Sequence, residues 1–226
     1  MSALTVPTPP LQVKAPSPPP APAPFPIIAT RMPLRRFSVD EYHSLIAQGY
    51  FAHDERFELL EGLIVHKMSR DPLHDAYLAQ GRRLLNFRLP AGWHIRVQSA
   101  VTTLDSEPEP DLAVVRGTEL DYLSHHPGPA EVSLIVEVSN TSLTEDRNWK
   151  GMLYARAGFE VYWILNLNHA RIEVYSDPSG PDADPTYRRR QDYGIGQLIP
   201  LTIDGIAVAP VPVAELLPTA VQPQQP

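Results

Sequence analysis

The 226-residue chain contains no cysteine. This absence excludes disulfide bonds, zinc sites built from thiolates and any mechanism that uses a cysteine nucleophile. The sequence also lacks an uninterrupted apolar run of the roughly 18 residues that a membrane-spanning helix needs. The N-terminus has no basic start followed by an apolar core, so it does not resemble a secretory signal. From these absences we predict a cytoplasmic protein with no membrane segment.

Positive charge is also scarce, since 19 lysines and arginines face 26 aspartates and glutamates, a formal net charge of -7. This balance disfavours a protein that coats nucleic acid through charge alone, although it permits a local basic groove around an acidic site. The chain has neither a Gly-x-Ser-x-Gly elbow nor a Walker loop, so serine-hydrolase and P-loop chemistries receive no support. Because His125 and His126 are adjacent rather than four residues apart, a zinc site is not expected.

Proline, by contrast, is abundant, and the tails hold much of it. Residues 1–32 are dominated by Pro, Ala, Ser and Thr, a composition typical of a disordered or polyproline II arm. A docking segment for an SH3-like partner is the alternative. Residues 33–216 have the length for one folded domain, and residues 217–226 are predicted to form a second, shorter tail.

Local patterns within residues 33–216 predict an α/β fold, a mixed β-sheet flanked by α-helices. Ser38 and Glu41 form a capping box that starts a short helix, and Asp71 with Pro72 starts an amphipathic helix that ends at about Leu89. Apolar segments bounded by turn residues predict the strands. We expect strands at 54–68, 93–104, 111–115, 132–138, 161–167, 171–175 and 187–190, a helix at 145–157, and a closing strand and turn within 197–216.

Two carboxylates stand at the ends of neighbouring predicted strands. Asp111 follows the acidic, proline-containing turn 107–110, and Glu137 lies almost at the end of the apolar segment 132–138. A glutamate among apolar neighbours is costly unless it is paired or coordinates a cation, so Glu137 is a candidate ligand. Carboxylate oxygens hold hard cations such as Mg²⁺, and with one lysine they suit metal-assisted hydrolysis of phosphodiesters. The alternatives are a surface carboxylate at Asp111 and a structural ion pair at Glu137.

Several blocks of sequence occur in one order, and they are 57–62, 107–111, 135–138, 146–150 and 154–165. In these blocks the chain resembles the Uma-type family of restriction-endonuclease-like proteins, a branch of the PD-(D/E)xK nuclease superfamily. The resemblance extends from about Phe37 to near Leu216. It implies a restriction-endonuclease-like fold, DNA as the substrate, Mg²⁺ as the cofactor with Mn²⁺ as a substitute, and a homodimer. It also implies that Asp111 and Glu137 are catalytic metal ligands.

The resemblance implies roles for further charged side chains. The usual signature has its lysine two residues past the glutamate, and this chain has Ser139 there. The lysine role therefore moves to Lys150 on the following helix, and a surface ion pair between Asp146 and Lys150 is the alternative. The superfamily often adds another acidic residue, for which Glu58 is slightly preferred to Glu61.

Two polar side chains are candidates for a supporting role. Gln98 lies on the strand before the acidic turn and is predicted either to bind water near the metal or to be a satisfied core amide. His74, near the start of the second helix, is predicted either to reach the phosphate or to be an ordinary surface histidine.

The main hypothesis is therefore a Mg²⁺-dependent endonuclease that cleaves DNA. The alternative is a non-catalytic module of the same fold that binds nucleic acid or protein, which Ser139 at the motif position and the acidic net charge favour. Hydrolysis of another phosphoester would use the same metal chemistry, so the sequence does not separate it from DNA cleavage.

Overall fold

The structure is a computed structural model that describes residues 34–52, 55–67 and 71–217. Residue contacts divide the chain after Arg35, and every described helix and strand lies in the unit that begins at Arg36. The predicted arm at 1–32 and residues 218–226 of the predicted tail lie outside the described residues. Leu217, which the sequence assigns to that tail, is buried against the core.

The first element is a helix with the predicted cap. Helix α1 spans Val39–Ala47. Ser38 Oγ accepts a hydrogen bond from the Glu41 amide at 3.1 Å, and Glu41 Oε2 accepts one from the Ser38 amide at 3.0 Å. These two bonds satisfy amides that have no partner within the helix, so the capping box starts α1 as expected.

A hairpin follows α1 where the sequence predicts a single strand. Strands β1 (Phe57–Leu60) and β2 (Leu63–His66) pair in antiparallel fashion. Gly62 turns the chain between them with a φ of +74°, a left-handed conformation that glycine adopts most readily. A Cβ at Gly62 would lie 2.6 Å from the Cβ of Arg36, so this turn has no room for a side chain.

Six strands form the central sheet in the order β3-β4-β5-β6-β7-β8. Neighbours in this sheet are antiparallel except β5 and β6, which run parallel and are joined by a helical crossover. The mixed sheet flanked by helices confirms the predicted fold class. The strands are β3 (Trp93–Val97), β4 (Leu112–Arg116), β5 (Val132–Ser139), β6 (Val161–Asn166), β7 (Arg171–Pro178) and β8 (Tyr187–Gly194).

One face of the sheet packs against α2 (Pro72–Asn86), whose N-terminal cap is Asp71 as predicted. The C-terminal segment adds to the same core as a hairpin of β9 (Leu198–Ile203) and β10 (Ile206–Pro212), followed by the short helix α4 (Val213–Leu216). The sequence predicted one closing strand here. The segment forms two strands instead, because β9, which alternates exposed and buried residues, pairs in antiparallel fashion with β10.

The other face packs against the helical crossover between β5 and β6. This crossover consists of three consecutive segments, an α-helix at Leu143–Glu145, a π-helix at Asp146–Lys150 and an α-helix at Gly151–Ala157, which together form helix α3. The sequence predicted a regular helix at 145–157. The π-helical turn holds one residue more per hydrogen-bonded ring than an α-helix, and such turns are frequent at functional sites.

Both faces of the central strands are therefore covered, which explains why their sequences are almost continuously apolar. Strand β3 ends at Val97 rather than continuing to residue 104, because Gln98 takes a left-handed φ of +46°. Short 3-10 helices occupy Glu119–Tyr122 and Leu167–His169. None of the helices in the described part of the chain is both long enough and apolar enough to cross a membrane.

Candidate active site

The two carboxylates singled out in the sequence meet at one edge of the sheet. Asp111 immediately precedes β4, and Glu137 lies on the neighbouring β5, where Leu112 pairs with Val136. The backbone amide of Asp111 donates to Glu137 Oε2 at 3.3 Å. Both side chains are almost fully buried. The antiparallel register of β4 and β5 thus places both acids on the same side of the sheet.

Asp111 is held by polar groups on both of its oxygens. Oδ1 accepts from Gln98 Nε2 at 3.1 Å, and Oδ2 accepts from the Val138 amide at 2.9 Å and lies 2.9 Å from His74 Nε2. Burial by itself would raise the pKa of Asp111, but the bond to His74, its charge, the Val138 amide and Lys150 lower that pKa to about 2. Asp111 is therefore a fixed carboxylate anion. Gln98 and His74, the two supporting candidates, both contact it directly.

Glu137 has fewer compensating partners. Its Oε1 accepts from Lys150 Nζ at 2.8 Å and from the Tyr154 hydroxyl at 2.9 Å, and the residue is only 2% exposed. Burial raises the pKa of Glu137 to about 8, since Lys150 offsets only part of the cost while Asp111 and Asp146 add repulsion. An additional cation beside this side chain would lower that cost.

Helix α3 turns Lys150 toward the strand ends. Lys150 is the last residue of the π-helical turn, and its side chain reaches Glu137 instead of extending into solvent. Asp146, at the start of that turn, is also buried and accepts from Ser142 Oγ at 2.6 Å. The Asp146–Lys150 separation is 4.0 Å. The two residues are not the exposed surface pair that the sequence left open as an alternative.

Glu58 brings a third acidic side chain from β1. Its Oε1 accepts from the Glu109 amide at 2.9 Å and lies 3.3 Å from Lys67 Nζ. Lys67 also donates to the Glu109 carbonyl oxygen at 2.7 Å, so it ties β2 to the acidic turn. Glu61 lies on the hairpin turn, is half exposed and pairs with Arg156 at 3.1 Å. Of the two glutamates considered from the sequence, the structure places Glu58 at the site.

One cavity of about 290 Å³ is lined by the candidate site residues Glu58, Asp111, Glu137 and Lys150. Trp149, which precedes Lys150 on α3, lines its rim and is 67% exposed. A large aromatic side chain left in solvent next to buried charges is a candidate contact for a ligand. The charged residues around the cavity are Glu58, Lys67, Asp71, His74, Asp111, Glu137, Glu145, Asp146 and Lys150.

Comparison with known proteins identifies the family. Residues 39–209 match the sequence model of the Uma2 family, whose description is "Putative restriction endonuclease". The chain belongs to the Uma2 family. This match confirms the resemblance carried by the sequence blocks between residues 57 and 165.

The fold of this Uma2-family chain also occurs in a solved structure. It is similar to a protein from Anabaena variabilis ATCC 29413 described as "a putative nuclease belonging to DUF820", with a TM-score of 0.58 and 14% sequence identity over 80% of this chain and 98% of the other. At that identity the similarity shows the fold alone. No curated protein matches this chain.

Part of this candidate site was not anticipated from the sequence. Lys67, Asp146 and Tyr154 line or brace the cavity, although none was predicted as a site residue. One available signal was the four-residue spacing of Asp146 and Lys150, which puts both on one helical face. Lys67 directly follows an apolar strand, which is a weaker signal.

A second group of candidate ligands lies outside this cavity. In the described ranges of the chain, one set of at least three histidine or acidic side chains has its ligand atoms within 4.8 Å of one another, namely His43, Glu107 and His126. Asp111 and Glu137 do not belong to that set. A site with histidine ligands is not expected from the sequence.

Proposed function

We propose that this Uma2-family protein is a metal-dependent endonuclease that hydrolyses DNA phosphodiester bonds at the Asp111–Glu137 edge of the sheet. The observation that carries the proposal is the convergence of two buried carboxylates and Lys150 on one open cavity. Two acids and a lysine in contact are the minimal set for metal-assisted attack on a phosphodiester. The family to which the chain belongs supports the same reaction class.

The donor set fits Mg²⁺, with Mn²⁺ as a substitute. Asp111, Glu137 and Glu58 offer carboxylate oxygens from three adjacent segments, and hard oxygen ligands are those that Mg²⁺ prefers. The buried Glu137 has a raised pKa, which is the behaviour of a carboxylate that lacks a full counter-charge. When bound, the ion polarises the phosphoryl oxygen and makes a coordinated water more acidic.

Lys150 would hold the phosphate rather than remove a proton. Burial alone would lower the pKa of Lys150, but Glu137, Glu58 and Asp146 raise it above its ordinary value. The ammonium therefore stays charged at neutral pH and is unsuited to the role of a base. It lies where it can neutralise charge on a phosphate oxygen, a contribution made mainly as charge develops in the transition state.

His74 and Gln98 act as positioning residues for Asp111. Gln98 adopts a left-handed φ of +46° while its side chain donates to Asp111 Oδ1. Such backbone strain costs on the order of 1–3 kcal/mol and is found at functional sites more than elsewhere. His74 contacts the other oxygen, so the orientation of Asp111 is set from both sides.

Trp149 supplies a surface on which a nucleobase can stack. Exposed aromatic side chains bind unpaired bases without a strong sequence preference. Because Trp149 neighbours Lys150, a base stacked on it would leave the adjoining phosphate close to the cavity.

We also propose that the enzyme is a cytoplasmic homodimer, since two copies present two sites to the two strands of a duplex. Sedimentation with and without DNA measures that assembly.

The decisive experiment is plasmid cleavage with Mg²⁺ or Mn²⁺ by the full chain and by an Asp111→Asn/Glu137→Gln double variant. We expect metal-dependent nicking that the double variant loses. Glu61→Gln is a matched control, because Glu61 lies on the adjacent hairpin turn but outside the cavity, and it should cleave normally. Cleavage that persists in the double variant, or that needs no metal, contradicts the proposal.

A second candidate function is a non-catalytic module of the same fold. The direct contact of Lys150 with Glu137 favours it, since this ion pair compensates the carboxylate without a metal. That function predicts no cleavage, no metal binding at Asp111, and partner binding that survives the double variant. Calorimetry with Mn²⁺ distinguishes the two functions even when no substrate is cleaved.

A further inference from the structure

We propose a second metal site, distinct from the Asp111–Glu137 cavity, in which His43, Glu107 and His126 bind Zn²⁺. The three ligands come from α1, from the acidic turn before β4 and from the loop before β5. The site does not depend on the nuclease proposal, because it shares no ligand with the carboxylates assigned to that chemistry.

The donor types and their spacing suit Zn²⁺. Two imidazoles and one carboxylate form a set that Zn²⁺ accepts, with a water as the fourth ligand. Tetrahedral bonds of about 2.0–2.2 Å place ligand atoms roughly 3.4 Å apart. The ligand atoms of these three residues already lie within 4.8 Å of one another, so side-chain adjustments can close the site.

Glu107 is the residue that most needs a cation. It is 3% exposed, and its ion pair in the described part of the chain is with His43 at 2.8 Å rather than with a lysine or an arginine. A buried carboxylate is costly without a counter-charge. Thr102 Oγ1 donates to the other oxygen, Oε1, at 2.6 Å. Outer hydrogen bonds of this kind orient metal-binding carboxylates and leave one oxygen directed at the ion.

Arg96 competes with the metal for His126. Its Nη2 donates to His126 Nδ1 at 3.1 Å, so it occupies the lone pair of that nitrogen. An ion on Nδ1 must displace Arg96, and an ion on Nε2 leaves a proton on Nδ1 that faces the guanidinium. A cavity of about 300 Å³ bordered by Arg96, Glu107 and His126 leaves room for Arg96 to move and for water to enter. The site therefore binds metal against a built-in competitor.

Metal at this position would brace the catalytic edge. Glu107 is four residues before Asp111, and Glu109 between them contacts both Glu58 and Lys67. His43 belongs to α1, so an ion shared by His43 and Glu107 links that helix to the acidic turn. Binding to the folded state alone raises stability in proportion to the logarithm of metal concentration over Kd.

The test uses the untagged full chain carrying Asp111→Asn and Glu137→Gln, which removes metal binding at the catalytic carboxylates. Calorimetry with Zn²⁺ should give one site per chain, and Co²⁺ in its place should show the visible absorption of nitrogen-ligated cobalt. An excess of Mg²⁺ should not displace Zn²⁺, because imidazole is a poor ligand for Mg²⁺. His43→Ala and Glu107→Gln should each weaken Zn²⁺ binding by about 100-fold or more.

Two variants make the result specific. His125→Ala is the matched control, since it removes the adjacent histidine, and Zn²⁺ affinity should not change. Arg96→Met should tighten binding about tenfold, because it removes the competitor for His126. His43 is exposed, so His43→Ala should fold, and Zn²⁺ should raise the unfolding temperature of the parent but not of this variant. Millimolar or weaker Zn²⁺ binding by the parent, or equal binding by His43→Ala, would overturn the site.

Discussion

Two buried glutamates occupy one row of the central sheet and differ in almost every other respect. Glu137 on β5 pairs with Ile164 on β6, which in turn pairs with Glu173 on β7. Both glutamates are at most 2% exposed. Burial raises the pKa of Glu137 to about 8, whereas at Glu173 hydrogen bonds and charges overcome burial and lower the pKa to about 2.

The number of donors explains the difference. Glu173 is surrounded by Arg147 at 2.5 and 2.9 Å, Asn166 at 2.6 Å, Tyr175 at 2.8 Å and Arg190 at 3.2 Å. Glu137 accepts from one lysine, one hydroxyl and, at 3.3 Å, the Asp111 amide, and two acids lie nearby. A saturated carboxylate is a structural group, whereas one with capacity to spare can accept a cation or a substrate. Burial alone therefore does not distinguish a candidate site residue from a structural one. The number of hydrogen-bond donors and counter-charges around the carboxylate does.

The largest expected effect comes from removing the charge of Glu137. Glu137→Gln should reduce DNA cleavage on the order of 10³-fold, because it removes a proposed metal ligand and the partner of Lys150. The variant should remain folded, since glutamine has the same shape and is neutral, the form that the raised pKa of Glu137 already favours at neutral pH. Supercoiled plasmid nicking gives the rate, and circular dichroism checks the fold. Full activity in this variant would remove Glu137 from the mechanism.

A matched pair on one helix tests the comparison directly. Arg147 and Lys150 both project from the π-helical turn, three residues apart, toward Glu173 and Glu137 respectively. Lys150→Ala should lower the cleavage rate about 100-fold or more with a smaller change in stability, because Glu137, whose pKa burial raises to about 8, can take up a proton when the lysine is lost. Arg147→Ala should lower the free energy of unfolding by about 3–5 kcal/mol, because the buried carboxylate of Glu173 loses two of its hydrogen bonds and a counter-charge.

Denaturant titration and single-turnover cleavage measured on both variants separate the two roles. The comparison fails if Arg147→Ala, assayed at a temperature where it is folded, loses activity as strongly as Lys150→Ala does.

Acid stability should distinguish Glu173 by the sign of its pKa shift. Its folded-state pKa, about 2, lies below the ordinary value of 4.5, so its stabilisation is complete above pH 4.5 and is lost as the pH falls toward 2. Glu173→Gln should be less stable than the parent at neutral pH. The difference in unfolding free energy between the two proteins should become smaller as the pH falls from 4.5 toward 2. Urea unfolding from pH 6 to pH 2.5 measures it, and a gap that stays constant with pH would contradict the assignment.

The smallest predicted effect concerns Trp149 at the rim of the Asp111–Glu137 cavity. Trp149→Ala should weaken binding of single-stranded DNA by about 1 kcal/mol, or roughly fivefold, through loss of stacking. Trp149→Phe should keep most of the affinity because it retains a ring. Fluorescence anisotropy of a labelled oligonucleotide measures both variants. An equal loss in both would mean that Trp149 is not a stacking surface.

The sequence predicts the parts of this molecule that have local causes. The capping box at Ser38 and Glu41 satisfies neighbouring amides, so it is visible within four residues. Glu137 stands out because a charge inside an apolar strand is costly wherever the strand is placed. The sheet follows from apolar runs that need cover on both faces.

What the sequence could not predict depends on contacts between distant positions. His43 and Glu107 are 64 residues apart, and no periodicity links them. Arg147 and Arg190 reach Glu173 only because α3 and β8 pack on β7. The sequence around Glu173 therefore does not show that this buried glutamate has enough partners. The π-helical turn is likewise a tertiary outcome, since its five residues are compatible with an ordinary helix.

That turn decides where α3 can change its length. An α-helix rotates about 100° for each residue, so removing one residue between Gly151 and Tyr154 would rotate the side chains on the two sides of the deletion by that angle relative to one another. Lys150 and Tyr154 could then no longer both reach Glu137. Within the π-helical turn, which holds one residue more than an α-helical turn, a deletion would instead restore α-helical spacing with little rotation of the residues that follow. In relatives of this chain, a one-residue gap should therefore be found within the turn more often than between Lys150 and Tyr154.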